Sequence, residues 1–395
     1  MITQVRAEVQ SYLPELIAIR RDIHRHPETG FEEFRTADIV AEKLQSWNIP
    51  VSRGIAKTGV IGTLAGKRSG RRTIGLRADM DALPMVEANT FEHRSAHAGR
   101  MHACGHDGHT TMLLGAARYL AAHNDFAGTV HFIFQPAEES FGGARVMIED
   151  GLLERYPCDA IYGMHNFPSL EAGRFGIRTG PMMAASDTWT AVFRGTGGHG
   201  GVGAHKGTDP TCSMAQFLTA VQTIVGRSVA PSESAVVSVG CLSGGSLDAP
   251  NVIPSEVTVC GTARSFTPET RLTLERRLGE LAGACAAAYG CDAELEYRKR
   301  YPPLVNSKAE VEVAVSAARA VVGHDNVISD IAPFTGGEDF AFFLEKAPGA
   351  YMFIGNDRDG EASIGLHDRR YDFNDDIISL GVSYFIEIIN LELCR

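Results

Sequence analysis

Residues 101–109 read Met101-His102-Ala103-Cys104-Gly105-His106-Asp107-Gly108-His109 and run directly into a helix-like segment, Thr110 to Ala122. Two glycine turns bring the sulfur of Cys104 and the imidazole of His106 close enough to share a metal ion. Zinc and other transition metals favour this mixture of sulfur and nitrogen ligands. The stretch therefore predicts a metal site immediately before a helix.

Apolar strands in the first half of the chain repeatedly end in polar residues. Asp79 and Asp81 follow one strand, Glu138 and Glu139 follow another, and His165 follows a third. Because strands and helices alternate here, the pattern predicts an α/β sheet, and the ligands of such sheets gather beyond the carboxyl ends of the strands. We expect these side chains to meet at one edge of the sheet.

The pattern of elements changes near residue 184, where the order becomes β-α-β-β-α-β. This order is typical of a compact α+β module, and the α/β pattern resumes after it. The sequence predicts a discontinuous catalytic domain of residues 1–183 and 297–395, interrupted by an inserted domain of residues 184–296. Within the insert, one helix is expected from Asp209 to Val225.

Five residues in glycine turns or just past apolar strands offer sulfur, nitrogen and oxygen ligands. They are Cys104, His106, Glu139, His165 and His367. Taken singly, a histidine such as His165 or His367 is more often a hydrogen-bonded core residue. Taken together, five such ligands can hold two metal ions that share a bridging group, and two-metal sites activate water for hydrolysis.

Carboxylates near these ligands are candidates for proton transfer. Glu138 and Glu139 can divide the work, one binding metal and one moving protons, although such a pair alone is more often a solvated surface feature. Asp79 and Asp81 share one face of an extended segment, from which they can orient ligating histidines. The alternative for Asp79 and Asp81 is a turn before Pro84.

Three polar residues of the inserted domain are candidates for contacts with a substrate. His199 lies in a glycine-rich loop that can carry it to a reaction centre when domains close, the alternative being an incidental histidine in a flexible linker. Asn251 and Arg264 frame a strand. The Arg264 guanidinium can bind a substrate carboxylate through two hydrogen bonds, with a surface ion pair as the alternative.

The composition limits the class of partner. The chain has 395 residues and a formal net charge of −11, which disfavours nucleic acid and anionic membranes as partners. We expect neither a signal peptide nor a membrane span, because no apolar run is long enough. The eight cysteines are scattered without paired spacing, which is typical of a reduced, cytoplasmic protein.

These motifs together resemble the M20 metallopeptidase family, in particular its subfamily D of hippurate hydrolases and N-acyl-amino-acid amidohydrolases. The resemblance runs nearly end to end, through residues 20–28, 77–84, 101–109, 135–139, 336–340 and 366–373. It implies a zinc-exopeptidase-like catalytic domain, with a mixed sheet flanked by helices. It also implies an inserted ferredoxin-like α+β lid domain that mediates dimerisation.

The resemblance implies roles for single residues. The ligands of two divalent metal ions (zinc, manganese, cobalt or nickel) are then Cys104, His106, Glu139, His165 and His367. Glu138 becomes the general base, and Asp79 and Asp81 stand where other M20 branches have a His-x-Asp element. His199 of a neighbouring subunit stabilises the oxyanion, and Asn251 and Arg264 contact the substrate.

One departure from the family pattern follows His199. The loop before His205 is one residue longer than in relatives and is rich in glycine where they have proline. Glycine admits many backbone conformations, so we expect a flexible loop and a substrate choice that differs from that of typical hippurate hydrolases.

The sequence thus predicts a dinuclear-metal amidohydrolase that acts on small N-acyl amino acids. The expected assembly is a homodimer through the lid domain, with a tetramer as the alternative. Other functions stay open: another M20-type hydrolase (an aminoacylase, a carboxypeptidase or an aromatic amine deaminase), a non-catalytic metal- or ligand-binding protein on the same scaffold, or an enzyme that uses Cys104 as a nucleophile beside His106.

Overall fold

The computed structural model describes residues 2–357 and 364–394 and divides the chain into two units. The second unit comprises Pro181–Leu304 and Pro333–Glu338, and the first contains the remaining described residues. The chain passes between the units at the short strands β7 (Gly180–Met183) and β14 (Leu304–Asn306).

The first unit is built on an eight-stranded sheet. Its strands are β1 (Val51–Ile55), β2 (Gly59–Ala65), β3 (Arg68–Asp79), β4 (Ala127–Gln135), β5 (Ala160–Glu171), β6 (Phe175–Gly176), β15 (Val327–Ile328) and β16 (Gly349–Asp357). Its helices are α1 (Ile2–Arg25), α2 (Phe34–Ser46), α3 (His106–Ala122), α4 (Glu138–Phe141), α5 (Gly143–Glu149), α6 (Leu152–Arg155), α10 (Lys308–Val322), α11 (Ala341–Leu344) and α12 (Ile378–Leu393).

The sheet of the first unit is mixed, in the order β1-β2-β4-β3-β5-β16-β6-β15. Strand β3 runs parallel to β4 and β5, and β16 runs parallel to β5, whereas β2 pairs antiparallel with both β1 and β4. Strands β4, β5 and β16 are buried along most of their length, which is why they read as nearly continuous apolar runs in the sequence. The predicted α/β class with a mixed sheet is confirmed.

Helix α3 begins at His106, whereas the sequence predicted a helix from Thr110. The residue before it, Gly105, has a φ of 95°, a left-handed conformation that glycine adopts readily. This conformation turns the chain directly from Cys104 into the helix. His106 therefore belongs to the first helical turn and not to a loop.

The second unit is an α+β module. Its strands are β8 (Ala185–Arg194), β9 (Gly198–His199), β10 (Ala235–Gly244), β11 (Val252–Ile253), β12 (Glu256–Ser265) and β13 (Asp292–Tyr301). Its helices are α7 (Pro210–Ala220), α8 (Thr223–Ser228) and α9 (Pro268–Ala288). The single helix expected from Asp209 to Val225 is thus wrong, because α7 ends at Ala220 and α8 begins three residues later.

Four antiparallel strands form the main sheet of this unit, in the order β10-β12-β8-β13. This order, on a β-α-β-β-α-β chain, is that of a ferredoxin-like module, as the sequence predicted. The boundary expected at residue 296 falls inside β13. Because β13 pairs with β8 as far as Tyr301 and Ser186, the unit continues to Leu304.

The core of the second unit contains one buried ion pair. Trp189 and Phe193 of β8 pack into an apolar cluster with residues of α7 and α9. Asp187 on the same strand is 1% exposed and accepts hydrogen bonds from two guanidinium nitrogens of Arg271, at 2.8 and 2.6 Å, and from the Tyr297 hydroxyl at 2.8 Å. These donors compensate the burial of the carboxylate.

Across the described ranges, no helix is both long and apolar enough to span a membrane.

Candidate metal centre

The five predicted ligands of the first unit come together in two overlapping groups. The ligand atoms of Cys104, His106 and His165 all lie within 4.8 Å of one another, and so do those of Cys104, Glu139 and His367. The Cys104 sulfur is 3.5 Å from Nε2 of His165. Cys104 is therefore the residue that the two groups share.

The parallel strands explain why these residues meet. Strands β3, β4 and β5 end at the same edge of the sheet, and the first turn of α3 lies at that edge. Glu139 belongs to the short helix α4, just past β4, and His165 lies on β5. His367 lies in a turn after β16, with a φ of 64° and a side chain that is 53% exposed.

Hydrogen bonds fix the tautomers of two of the histidines. Nδ1 of His106 donates to the carbonyl oxygen of Asp81 at 2.8 Å, and Nδ1 of His165 donates to the carbonyl oxygen of Asn166 at 2.7 Å. In each ring Nδ1 is the nitrogen that binds a carbonyl oxygen and Nε2 is the nitrogen left for a metal, the arrangement found in histidines that ligate metals. Nε2 of His106 is buried and has no hydrogen-bond partner among the described residues.

Negative charge dominates the cluster. Burial disfavours protonation of His106, but the charges of Asp79, Asp81 and Glu139 outweigh it and raise its pKa to about 10. Burial, together with the charges of Glu139 and Glu138, holds the pKa of the Cys104 thiol well above its usual range. A thiolate at Cys104 therefore requires a bound cation to stabilise it, which disfavours the reading of Cys104 as a nucleophile.

The residues present fit a pair of divalent metal ions. A buried imidazole nitrogen without a hydrogen-bond partner among the described residues, a thiol beside the Glu139 carboxylate and a second buried imidazole form a mixed sulfur, nitrogen and oxygen donor set. Burial and the neighbouring His109 hold the pKa of His165 well below its usual range, so its ring is neutral and can ligate a metal.

Asp81 orients the proposed base and one of the ligands. Its carboxylate accepts the backbone N–H groups of Glu138 and Glu139, each at 3.0 Å, and lies 3.2 Å from Nδ1 of His106. Glu138 is 6% exposed, and its Oε1 accepts the N–H of Asp339 at 3.3 Å. The structure thus places Glu138 directly beside the ligand cluster, with its ligand atoms near those of His106 and Glu139.

Asp79 lies beside His106, with its Oδ2 3.8 Å from Nε2 of that ring, and it contacts two further buried residues. Its Oδ1 is 2.6 Å from Nδ1 of His109, and its Oδ2 accepts a hydrogen bond from Arg77 at 2.7 Å. Burial opposes ionisation of Asp79, but the charges of His106, Arg77 and His109 hold its pKa well below the usual range. In the sequence, Arg77 could have been recognised as a cation inside an apolar strand. His109 could have been recognised by its place one helical turn after His106.

A second buried network supports the start of α3. The His24 ring lies between Asp107 and Glu87, with nitrogen–oxygen distances of 2.9 and 3.2 Å. Arg20, also fully buried, contacts Asp107 at 3.4 Å. No local pattern in the sequence indicates this network, because the partners are far apart in the chain.

Three predicted site residues lie in the second unit. His199 is on β9, which pairs with β11 through His199–Val252 and Gly198–Ile253, so the residue is held in a ladder and not in an unstructured linker. Its Nδ1 accepts the N–H groups of Gly201 and Val202, each at 3.0 Å, which leaves the proton on Nε2. Nε2 of His199 is therefore a hydrogen-bond donor on an exposed side chain.

Asn251 and Arg264 are the other two predicted site residues of the second unit. The carbonyl oxygen of Asn251 accepts the N–H of Gly200 at 2.7 Å, which ties Asn251 to the His199 loop. Arg264 is half-buried on β12, and its Nη1 donates to the carbonyl oxygen of Ala263 at 3.0 Å. In the part of the chain that the structure describes, no carboxylate forms an ion pair with Arg264, and burial lowers its pKa.

Known proteins resemble this chain over nearly its whole length. The model of the peptidase family M20/M25/M40 matches residues 75–391. Hippurate hydrolase of Campylobacter jejuni is 39% identical over 381 residues, covering 96% of this chain and 97% of that protein. N-acetyl-L-cysteine deacetylase of Bacillus subtilis is 41% identical over 346 residues, covering 87% and 81%.

A solved structure from Bacillus subtilis, described as a dinuclear metal-binding peptidase of the M20 family, has a TM-score of 0.83 to this chain. Its sequence is 33% identical, and the match covers 97% of this chain and 98% of that one.

Proposed function

The chain belongs to the peptidase family M20/M25/M40, and on that premise we propose that it is a dinuclear-metal amidohydrolase that cleaves the amide bond of N-acyl amino acids. The observation that carries the proposal is the pair of ligand groups that share Cys104, with Glu138 beside them. The two named relatives support the substrate class, because hippurate and N-acetyl-L-cysteine are both N-acyl amino acids.

The proposed ligands divide between two positions. One ion would be held by Cys104, His106 and His165, and the other by Cys104, Glu139 and His367. Bound divalent ions lower the pKa of water and polarise a carbonyl oxygen, which is the chemistry that amide hydrolysis requires. Zinc suits the thiolate and imidazole ligands, and manganese, cobalt and nickel are the proposed alternatives.

Glu138 is the proposed proton carrier. Its carboxylate takes a proton from the attacking water and later delivers it to the amine nitrogen that leaves, since one carboxylate can serve both steps. Asp81 keeps Glu138 in place through the backbone bond described above, and Asp79 keeps His109 and Arg77 in place. Neither aspartate needs to exchange a proton for this role.

The second unit is proposed as the lid and the dimerisation domain. His199 of a neighbouring subunit would donate from Nε2 to the oxyanion, and the fixed tautomer supports this role. Arg264, which has no carboxylate partner within the described ranges, is proposed to bind the carboxylate of the amino acid, with Asn251 nearby in the same unit. The eight free cysteines support a reducing compartment, for which the cytoplasm is the proposal.

The test combines metal analysis with a substrate panel. The purified protein should contain two divalent ions per chain and hydrolyse at least one of N-benzoyl, N-acetyl and indoleacetyl amino acids. Glu138→Gln should keep the metal and lose at least ~100-fold in turnover, because a general base contributes about that much or more. Glu149→Gln, whose side chain is 65% exposed, is the matched control and should retain full activity.

Three results would contradict the proposal. Turnover of Glu138→Gln near that of the wild type would exclude Glu138 as the base. Activity that survives full chelation would exclude a catalytic role for metal ions and would favour Cys104 as a nucleophile. Release of C-terminal residues from unblocked peptides, with no hydrolysis of N-acyl amino acids, would indicate a carboxypeptidase.

A further inference from the structure

A turn at residues 29–33 packs against the turn that carries the proposed base, residues 137–139. A Cβ atom at Gly30 would lie 3.0 Å from Cβ of Ala137 and 2.9 Å from the ring of Phe141. The rings of Phe31 and Phe141 are 5.7 Å apart at their centroids. The two turns are therefore in contact, and only glycine fits at position 30 without displacing its neighbours.

Two residues at this contact have left-handed backbones although neither is glycine. Phe31 has a φ of 63° and Ala137 a φ of 56°. This conformation costs a residue with a Cβ atom about 1–2 kcal/mol, so it persists only where surrounding contacts hold it. Because Ala137 immediately precedes Glu138, its backbone angles determine where the Glu138 side chain begins.

The Glu33 carboxylate holds both of these residues. Its Oε1 accepts the N–H of Phe31 at 3.0 Å and the N–H of Ala137 at 2.9 Å, and its Oε2 accepts the Thr58 hydroxyl at 2.6 Å. Glu33 is completely buried, and no arginine or lysine among the described residues forms an ion pair with it. Burial of a carboxylate without a cation costs free energy unless the carboxylate accepts hydrogen bonds. Here the hydrogen bonds that it accepts hold the backbone of the two turns.

Asp81 receives the next two N–H groups of the same turn. Its Oδ1 accepts from Glu138 and its Oδ2 from Glu139. Three consecutive N–H groups, those of residues 137, 138 and 139, thus end on two buried carboxylates. Asp81 also contacts His106, whereas Glu33 contacts none of the proposed metal ligands.

We propose that Glu33 is a positioning residue that holds Ala137 in its left-handed conformation and thereby directs the Glu138 side chain, a role that rests on the proposed function of Glu138. Without Glu33, the Ala137 N–H loses its acceptor and the strained backbone loses its support. Ala137 then relaxes and Glu138 moves. A displacement of about 1 Å in a reacting group can lower turnover by roughly 100-fold.

The first experiment compares two adjacent glutamates. Glu33→Ala should lower kcat by about ten- to a hundredfold, with KM and metal content little changed. Glu33→Gln should retain most of the activity, because its amide oxygen still accepts the Ala137 N–H. Glu32→Ala is the matched control, since Glu32 is exposed and its carboxylate contacts the Thr29 hydroxyl and the Arg100 guanidinium.

The second experiment removes the strain. In the Glu33→Ala background, Ala137→Gly should restore roughly tenfold of the lost kcat, because glycine adopts a left-handed backbone without the Cβ penalty. A merely structural defect would not be repaired at this position. If Glu33→Ala does not fold, Glu33→Asp replaces it: the shorter side chain keeps the carboxyl group but cannot span the same distance, and the same rescue is expected.

A third measurement does not depend on a substrate. Hydrogen exchange of the amides of residues 137–139 should be faster in Glu33→Ala than in the wild type and unchanged in Glu32→Ala. Unchanged exchange, or an unchanged kcat, in Glu33→Ala would overturn the proposal, and so would the absence of rescue by Ala137→Gly. If exchange changes as expected while the wild type hydrolyses no N-acyl amino acid, the hold of Glu33 on the Ala137 backbone stands and the proposed function fails.

Discussion

Gly105→Ala tests the turn that separates Cys104 from His106. Gly105 has a φ of 95°, so any residue with a Cβ atom is penalised there by about 1–2 kcal/mol. The new Cβ would also lie 2.1 Å from Oδ1 of Asn166 and 2.9 Å from the Tyr371 hydroxyl. The first distance is too short for any packing, so Asn166 must move.

Moving Asn166 breaks a buried hydrogen-bond network. Its Oδ1 lies 2.6 Å from Nε2 of His109, and its Nδ2 donates to the Tyr371 hydroxyl at 2.6 Å. Each lost hydrogen bond between buried groups costs about 1–3 kcal/mol. With the backbone penalty, we expect Gly105→Ala to lower the free energy of unfolding by about 4 kcal/mol, a large part of the roughly 5–15 kcal/mol that stabilises a folded protein.

The assay is urea unfolding followed by circular dichroism, together with metal analysis of the folded variant. Gly99→Ala is the matched control: Gly99 has a φ of 81° in the same loop, but nothing lies within 4 Å of its Cβ position. It should lose only about 1–2 kcal/mol and keep its metal. An equal loss in both variants, or full metal content in Gly105→Ala, would refute the steric argument.

Three further predictions concern stability. Arg271→Leu leaves a buried carboxylate unpaired and should cost about 3–5 kcal/mol, whereas Arg276→Leu, which breaks an exposed pair, should cost less than about 1 kcal/mol in the same urea assay. Burial opposes protonation of His24, but Asp107 and Glu87 raise its pKa from 6.5 to about 9. Because the folded-state value is the higher one, its stabilisation of about 3 kcal/mol is complete below pH 6.5 and is lost as the pH rises through 9. Unfolding measured over this range should be less pH-dependent in His24→Gln, and an identical profile would contradict the assignment. Chelation should lower the melting temperature, and added divalent metal should restore it, since the ligands converge only in the folded chain.

The sequence predicted those parts of the site that depend on local pattern. Polar residues at the ends of parallel strands, and a thiol and an imidazole around one glycine, are visible in a single window. The carboxyl ends of the parallel strands share one edge of the sheet, and Cys104, Glu139 and His165 come together there. The fold class followed from the same alternation of strands and helices.

Long-range partners were not predictable in this way. Glu33 and Ala137 meet only because two turns distant in the chain pack together, and nothing in either segment indicates the other. The left-handed backbone of Ala137 could not be predicted from the sequence either, since an alanine does not indicate this conformation. The boundary near residue 296 failed for a related reason: β13 is exposed on many of its side chains, so its apolar pattern fades before its pairing with β8 ends.

The position of the second unit within the chain affects the order in which the two units can fold during biosynthesis. Strands β5 and β16 lie side by side, as in the pairing of Ile161 with Gly349, although the entire second unit is made between them. The main sheet of the second unit comes from one continuous segment and can form as soon as that segment leaves the ribosome. The first unit must wait, so the nascent chain carries an unpaired apolar edge on β5 until β16 emerges, which is the interval in which it is most exposed to aggregation or to a chaperone. Since His367 is translated later still, a complete ligand cluster exists only in a chain that is almost finished.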